Sequence, residues 1–423
     1  MGHRTLKSGY QDFVERVNRF PQGAPASAVL YQILKILMTE EEATLASQFP
    51  IKPFTLKKIA KIWKKNEAES HKILDRFADR GLLVDMEVHG EQQYILPPPM
   101  AGFIEFSLMR IRDDIDQKRL SELLHEYINV EKEFITDLFN VGEAQLVRTF
   151  VQEPALTPEL SLQVLDYERA SETIKNATHI CVGTCYCRHK MYHMGKACDA
   201  PLNDICMTLN VPAASLIKHN IARQIDVVEG LDILQKAYDC NLAQFGENER
   251  KNTAFICNCC PCCCEVSLAA RNFGLVHPAN PSNFIAALDK DPCVGCGKCA
   301  IVCPVGAFRI ETQENGRKKA VLDEGACVGC GVCVRNCAPK VLKLNKRGKD
   351  KIFTPVTSTH RIVLAAINKG QLQDLIFDNR ALWSHRALAA VLGVILKLPP
   401  LKQILASKQV KSRYLEQLIE KMD

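Results

Sequence analysis

Two runs of four cysteines with the same internal spacing, 34 residues apart, constrain this chain more than any other feature. Cys293, Cys296, Cys299 and Cys303 form a CxxCxxCxxxC pattern followed by Pro304, and Cys327, Cys330, Cys333 and Cys337 repeat it. The correspondence extends to the flanks: Ala287-Leu288-Asp289 matches Val321-Leu322-Asp323, and Phe308-Arg309-Ile310 matches Leu342-Lys343-Leu344. Two copies of one small unit therefore stand in tandem. Two-residue gaps bring three thiolates to three corners of an iron-sulfur cube, while the fourth cysteine, a helical turn on, is directed at the other cube. On this spacing Cys293, Cys296, Cys299 and Cys337 are expected to hold one [4Fe-4S] cluster, and Cys327, Cys330, Cys333 and Cys303 the second. Gly295, Gly297, Gly329 and Gly331 allow the backbone to curl around each cube with N–H groups facing sulfur. Structural zinc instead favours two separated cysteine pairs closing one tetrahedral site.

In these residues the chain resembles bacterial-type two-cluster ferredoxins, which implies a small α+β domain that carries electrons. One departure is that Cys337 is followed by Ala338 before Pro339, which displaces the proline by one position. All twenty cysteines lie between Cys181 and Cys337. A disulfide framework needs an oxidising compartment, and the opening MGHRTLKSGY lacks the apolar core of a secretory signal, so a reduced, cytoplasmic protein is expected.

Two cysteine blocks precede the tandem. Cys185 and Cys187 with Arg188 behind them, followed by Cys198 and Cys206, offer four thiols for one further cluster; a zinc site or a redox dithiol would use the same residues. The interleaved Arg188, Lys190 and Lys196 would favour thiolates and offset cluster charge. The second block places Cys257, Cys259, Cys260, Cys262, Cys263 and Cys264 within eight residues. Adjacent cysteines point in different directions, so all six cannot reach one cube. Some must serve a second metal site, pair with Cys181 or Cys240, or stay free. The inventory allows one or two additional iron-sulfur clusters. The CxCR and CNCCxCCC blocks ahead of the ferredoxin pair together resemble a group of bacterial and archaeal dicluster ferredoxin-domain proteins, a resemblance that implies cofactors rather than a substrate.

The termini carry no cysteine. From Ala28 to Leu96 the pattern reads as helices, one of them capped by Thr39 with Glu42 three residues on, then helices over 55–64 and 67–80 ended by Gly81, then a hairpin: the order of a winged helix-turn-helix. Lys57 to Arg80 holds eight basic and four acidic residues, which could follow phosphates. Glu67, Glu69, Asp75 and Asp79 interrupt the recognition helix, and Asp85, Glu87 and Glu91 make the wing acidic, which favours protein docking over DNA. The apolar run Ala387 to Leu396 is too short to span a bilayer. Beyond it, Leu401, Ile404, Leu405, Leu415, Leu418 and Ile419 share a helical face with Lys408 and Lys411, a pattern suited to packing on another domain or to peripheral contact with the inner membrane surface.

The expected architecture is α+β and multidomain: a winged-helix-like domain over 1–97, a helical connector over 98–178, a cysteine-rich metal-binding region over 179–283, a dicluster ferredoxin domain over 284–350 and a helical tail over 351–423. Neither a GxxxxGK[ST] nor a strand-linked GxGxxG motif is present, so nucleotide and flavin binding have no support in the sequence. Electron relay between partner redox proteins in an anaerobic system follows as the expected role, in an electron-transfer protein or oxidoreductase subunit rather than a self-sufficient enzyme. The alternatives are a cluster-sensing DNA-binding regulator and a reductase whose Cys257–Cys264 cluster keeps an open iron. Between Phe284 and Ile352 thirteen Lys and Arg face seven Asp and Glu, so the expected partner is acidic: a ferredoxin, a flavodoxin or an oxidoreductase subunit.

Overall fold

A computed structural model describes residues 7–139, 141, 144–289, 292–378 and 383–396. Helices and several separate sheets make the protein α+β. It packs as two compact units. One comprises the described residues up to Phe134, the short excursion Lys218–Ile221, and those from Thr357 on; the other comprises Ile135–Ile217 and Ala222–Val356. The connector expected over 98–178 is thus shared between both units.

In the first unit, helices Ala28–Leu37 and Glu40–Ala46 are followed by strand β1 (Phe54–Thr55), helices Leu56–Trp63 and Glu67–Asp79, and a hairpin of β2 (Val84–Val88) and β3 (Glu91–Ile95). Thr39 and Glu42 close a reciprocal capping box, each side chain bonding the other's backbone N–H. Gly81, with φ +74°, ends the last helix. β1 lies against β3, giving the sheet order β1-β3-β2. Phe49 packs against Phe54, Trp63 and Phe77, forming an aromatic core under the sheet. The described C-terminal helices Ser358–Lys369, Leu372–Ile376 and Trp383–Leu396 belong to this unit, where Ala366 and Leu375 pack on Ile51. The amphipathic segment from Leu401 lies outside the described residues. Among the described residues no helix is long and apolar enough to cross a membrane.

The second unit is built on an antiparallel sheet of β4 (Val147–Thr149), β5 (Ile180–Gly183), β6 (Cys206–Leu209), β7 (Arg223–Gln224), β8 (Ala243–Glu247) and β9 (Phe255–Cys259), in the order β4-β8-β9-β6-β5-β7. Its centre buries Ile180, Val182, Met207, Leu209 and Ile256 with Ile233 and Leu234 of helix Val227–Asp239. β5 and β9 both run antiparallel to β6, so their C-terminal ends and the start of β6 lie at the same end of the sheet. That end collects the cysteines.

The tandem follows with β10 (Phe284–Leu288), β11 (Phe308–Thr312), β12 (Lys318–Leu322) and β13 (Leu342–Lys346). β10 and β12 occupy equivalent places in the two copies, as do β11 and β13, but pairing is between copies: β10 with β13 and β11 with β12. The copies therefore close on each other about a pseudo-twofold. Gly295 and Gly329 sit where this closure is tightest. A Cβ on Gly295 would lie 2.2 Å from the Lys318 carbonyl oxygen, and one on Gly329 would lie 2.0 Å from that of Phe284, and both glycines have positive φ. No side chain larger than hydrogen fits there.

Candidate metal centres

In the tandem, each helix begins just after its second glycine: Gly297 and Gly331, with φ +79° and +87°, are the N-caps of Lys298–Val302 and Val332–Arg335. These turns aim amides inward. The Ala307 amide donates to Cys303 Sγ at 3.2 Å, and the thiols of Cys299 and Cys330 also receive backbone N–H groups. Cys303, from the first run, lines one cavity together with Cys327, Cys330 and Cys333 of the second. Burial raises the Cys303 thiol pKa, and the thiols of Cys330 and Cys333 are raised by burial first and then by neighbours that include Cys303. Cys299 is raised by burial and then by Cys293 and Cys296. The thiols thus associate across the runs at the Cys303 site. The displaced proline leaves the turn after Cys337 unchanged in kind, since Lys340, with φ +54°, takes the place that Gly306, with φ +70°, holds after Cys303.

The two expected ligand sets differ in exposure. Cys303, Cys327, Cys330 and Cys333 are all buried, whereas in the other set Cys299 is buried, Cys293 and Cys337 are half-buried and Cys296 is exposed. Val294 is 66% exposed, and its counterpart Val328 is 1% exposed. The buried copy is covered by the segments that follow β4 and precede β10: the Gln152 amide donates to the Cys330 carbonyl at 2.9 Å and the Ser282 amide to that of Val328 at 2.9 Å.

Upstream, the sheet regroups the cysteines of the two blocks. Cys185 and Cys264 are the N-cap residues of helices Tyr186–His193 and Glu265–Phe273, which leave the cysteine-bearing end of the sheet. A chain of thiol contacts runs from Cys185 to Cys187, Cys264, Cys259, Cys257 and Cys206, with Cys264 and Cys259 sulfurs 3.1 Å apart. Cys198 separates from its own block and meets Cys260, Cys262 and Cys263, the four sulfurs lying within 4.8 Å of one another. The grouping of Cys185, Cys187, Cys198 and Cys206 expected from the sequence is divided: Cys206, at the start of β6, lies one step beyond the Met207–Ile256 pair and so beside Cys257, whereas Cys198, in the loop after helix Tyr186–His193, meets the turn after β9. Cys181 takes no part; it is buried in β5 beside Thr208, and burial pushes its thiol up to about 12. Cys240 is exposed at the end of helix Val227–Asp239.

The donor set suits an anionic metal-thiolate group. Arg188 is fully buried, donating to the carbonyls of Pro201 at 2.8 Å and Asn258 at 2.6 Å. Burial opposes its charge, yet the thiols of Cys185, Cys260 and Cys259 hold its pKa above the ordinary value. Its Nε is buried with no hydrogen-bond partner of its own among the described residues. Arg188 therefore faces both thiol sets with a charge that thiolates offset. Cys257 is drawn down to about 5 by hydrogen bonds from Cys206 and Cys259. Lys190 has a different role from the one its position suggested: it forms a buried ion pair with Glu265, tying the segment after Cys187 to that after Cys264. Lys196 is exposed. Glu265 and Asn258 were not legible as site residues, and only the Cys264-Glu265 juxtaposition hinted at a charged partner for Lys190.

Two other charges are also reassigned by burial. Arg347 is half-buried and donates to the carbonyls of Ser282 and Cys327, so it supports the buried copy. Asp85 is buried, paired with Lys218 and His219, and so does not make the wing acidic, while Glu87 and Glu91 remain exposed.

A 4Fe-4S dicluster domain matches residues 292–350, the span of both cysteine runs. The protein is thus similar over that span to the dicluster ferredoxins, and it is an iron-sulfur protein of electron-transfer type. Comparison with curated proteins and with solved structures finds no match to the chain.

Proposed function

We propose that this chain relays electrons between partner redox proteins through two [4Fe-4S] clusters with crossed ligation. Cys293, Cys296, Cys299 and Cys337 would hold one and Cys303, Cys327, Cys330 and Cys333 the other. The observation that carries this is the cavity where Cys303 meets three cysteines of the second run. When bound, the clusters supply one-electron oxidation and reduction; the chain's residues supply N–H···S bonds, burial and unequal exposure, the features that set a cluster's potential. Four of the six thiols of Cys185, Cys187, Cys206, Cys257, Cys259 and Cys264 would hold a further cluster, beside Arg188, with only one of the closely spaced Cys259 and Cys264 among them.

The more exposed copy is the place for exchange with a partner. Val294 and Ile301 are exposed around Cys296, with Lys298 between them. The Lys318 backbone is in contact with Gly295, which brings exposed Arg317 and Lys318 to the same cluster. An apolar centre with a basic margin suits an acidic ferredoxin or flavodoxin, steered by charge. The helix order and three-stranded sheet of the first unit support a winged helix-turn-helix fold there. Its exposed helix surface mixes Glu67, Glu69 and Asp79 with Lys72 and Arg76, which supports a protein-docking role over DNA.

Cys303→Ala tests ligation: electron paramagnetic resonance of the anaerobically purified, reduced chain should show the signal of the Cys327, Cys330 and Cys333 cluster perturbed and the other retained. Damage confined to the Cys293, Cys296 and Cys299 cluster would show that each run binds its own cube. For docking, stopped-flow reduction by an acidic ferredoxin should slow as salt rises, and the salt dependence should shrink in Lys298→Gln/Arg317→Gln/Lys318→Gln. Rates flat with salt in the unaltered chain would remove the basic margin from the reading.

A further inference from the structure

Cys198, Cys260, Cys262 and Cys263 lie closer together than a cube's ligands stand. All four sulfurs fall within 4.8 Å of one another, and the Cys198–Cys263 and Cys262–Cys263 pairs are each 3.8 Å apart. With metal–sulfur bonds of about 2.3 Å, a tetrahedron places its ligand sulfurs about 3.8 Å apart. In a cube each thiolate projects outward from a different iron, so the four terminal sulfurs are spread more widely. The molecule contains its own comparison: Cys303, Cys327, Cys330 and Cys333 surround one cavity, yet among the described residues they form no such close set.

We propose that Cys198, Cys260, Cys262 and Cys263 hold a single tetrahedral divalent ion, zinc or ferrous iron, and not an iron-sulfur cube. The surroundings are built for such an anionic centre. The Ala200 amide donates to Cys198 sulfur and the Cys198 amide to Cys263 sulfur. Arg188 lies beside Cys260. A divalent ion with four thiolates carries two net negative charges, one of which the buried guanidinium offsets. Cys260 and Cys263 are themselves part of the sheet's buried core, with Cys198 packed on it.

Four protein ligands complete the coordination, so the site has no open position for a substrate and its role is structural. It staples the loop after helix Tyr186–His193 to the turn after β9, closing a loop from residue 198 to residue 260. Such a closure removes unfolded-chain entropy. It also fixes the Pro201 carbonyl that holds Arg188, and hence the charge presented to the neighbouring six-thiol set. This inference does not depend on the electron-relay reading.

Metal and acid-labile sulfide are measured on the anaerobically purified full chain and on Cys198→Ser and Cys262→Ser. The unaltered chain should hold one metal equivalent in excess of its sulfide. Each variant should lose that one equivalent while keeping its sulfide and its ferredoxin-type resonance. X-ray absorption at the zinc or iron edge tells the two ions apart, and cells grown on cobalt should yield a chain with thiolate-to-cobalt absorption that Cys262→Ser abolishes. Cys262 is exposed, so its substitution serves even if Cys198→Ser does not fold. Loss of about four irons together with about four sulfides from Cys262→Ser, or metal matching sulfide one to one in the unaltered chain, would overturn the proposal. An excess ion in a chain without ferredoxin-type resonance would instead leave this site standing and overturn the relay reading.

Discussion

The ferredoxin tandem and the upstream thiol assembly both concentrate cysteines, but they are specified at different distances along the chain. In the tandem three cysteines of each set lie within seven residues, and glycine turns carry the geometry. Upstream, the thiols come from the end of β5, the start of β6, the end of β9 and the loops beyond them, so their grouping exists only once the sheet has its order. Local spacing encodes a site directly; a site assembled by strand order is encoded through the core that aligns the strands.

The largest expected effect breaks the tandem alone. Gly329→Ala puts a methyl group 2.0 Å from the Phe284 carbonyl oxygen at positive φ, a cost of roughly 3 kcal/mol or more. The variant should lose ferredoxin-type iron and sulfide while keeping the Cys198 ion, as measured by metal analysis. Gly316→Ala, with positive φ but nothing within 4 Å of the new methyl group, should cost only about 1 kcal/mol and retain the clusters. Equal losses from both would show that close approach is not what Gly329 serves.

Next in size is the reciprocal break. Arg188→Met removes a buried cation shared by the two upstream thiol sets, and loss of one partner from a buried ion pair costs about 3–5 kcal/mol. Thermal unfolding of the second unit should fall and upstream metal should be lost, with the tandem's resonance preserved in the metal-replete fraction. Unchanged upstream metal would mean the thiolates need no such counter-charge.

A smaller effect sharpens the comparison through the first unit, which holds no cysteine. Burial works against the His219 charge, but hydrogen bonds to Asp85 and Asp79 hold its pKa above the ordinary 6.5. A raised folded value means the stabilisation is fully present below the unfolded pKa and is lost as pH rises through the folded one. Hydrogen exchange over Lys218–Ile221 should therefore show more opening, beyond the intrinsic rate, as pH rises above neutral, and His219→Asn should flatten that dependence. Chelation of metal should leave it unmoved. A His219→Asn profile that keeps the slope would assign the pH response elsewhere.

These differences explain how much was legible. The tandem repeat, its glycines and the helices and hairpin of the first unit rest on short-range patterns, and the structure has elements at those places. β1 is two residues long and exists through its pairing with β3, so no periodicity could announce it. β4 sits in a stretch read as helical because a three-residue strand takes its identity from β8. The transfer of Cys198 away from Cys185, Cys187 and Cys206 follows from which loop closes over which strand end. Asp85 reads as a surface charge because a sequence does not show which cation awaits a side chain.

The unequal cover of the two tandem copies also bears on durability. Oxygen and peroxide attack iron-sulfur groups from solvent, and the Cys296 corner is open to solvent where the equivalent Cys330 corner is buried beneath the Gln152 backbone. Air exposure should thus degrade the tandem in sequence, the outer copy first. The inner copy, with Arg347 and Ser282 still bracing its loop, would survive as a half-loaded domain. Such a species would keep its fold and lose its solvent-facing redox group, so loss of redox capacity would precede unfolding.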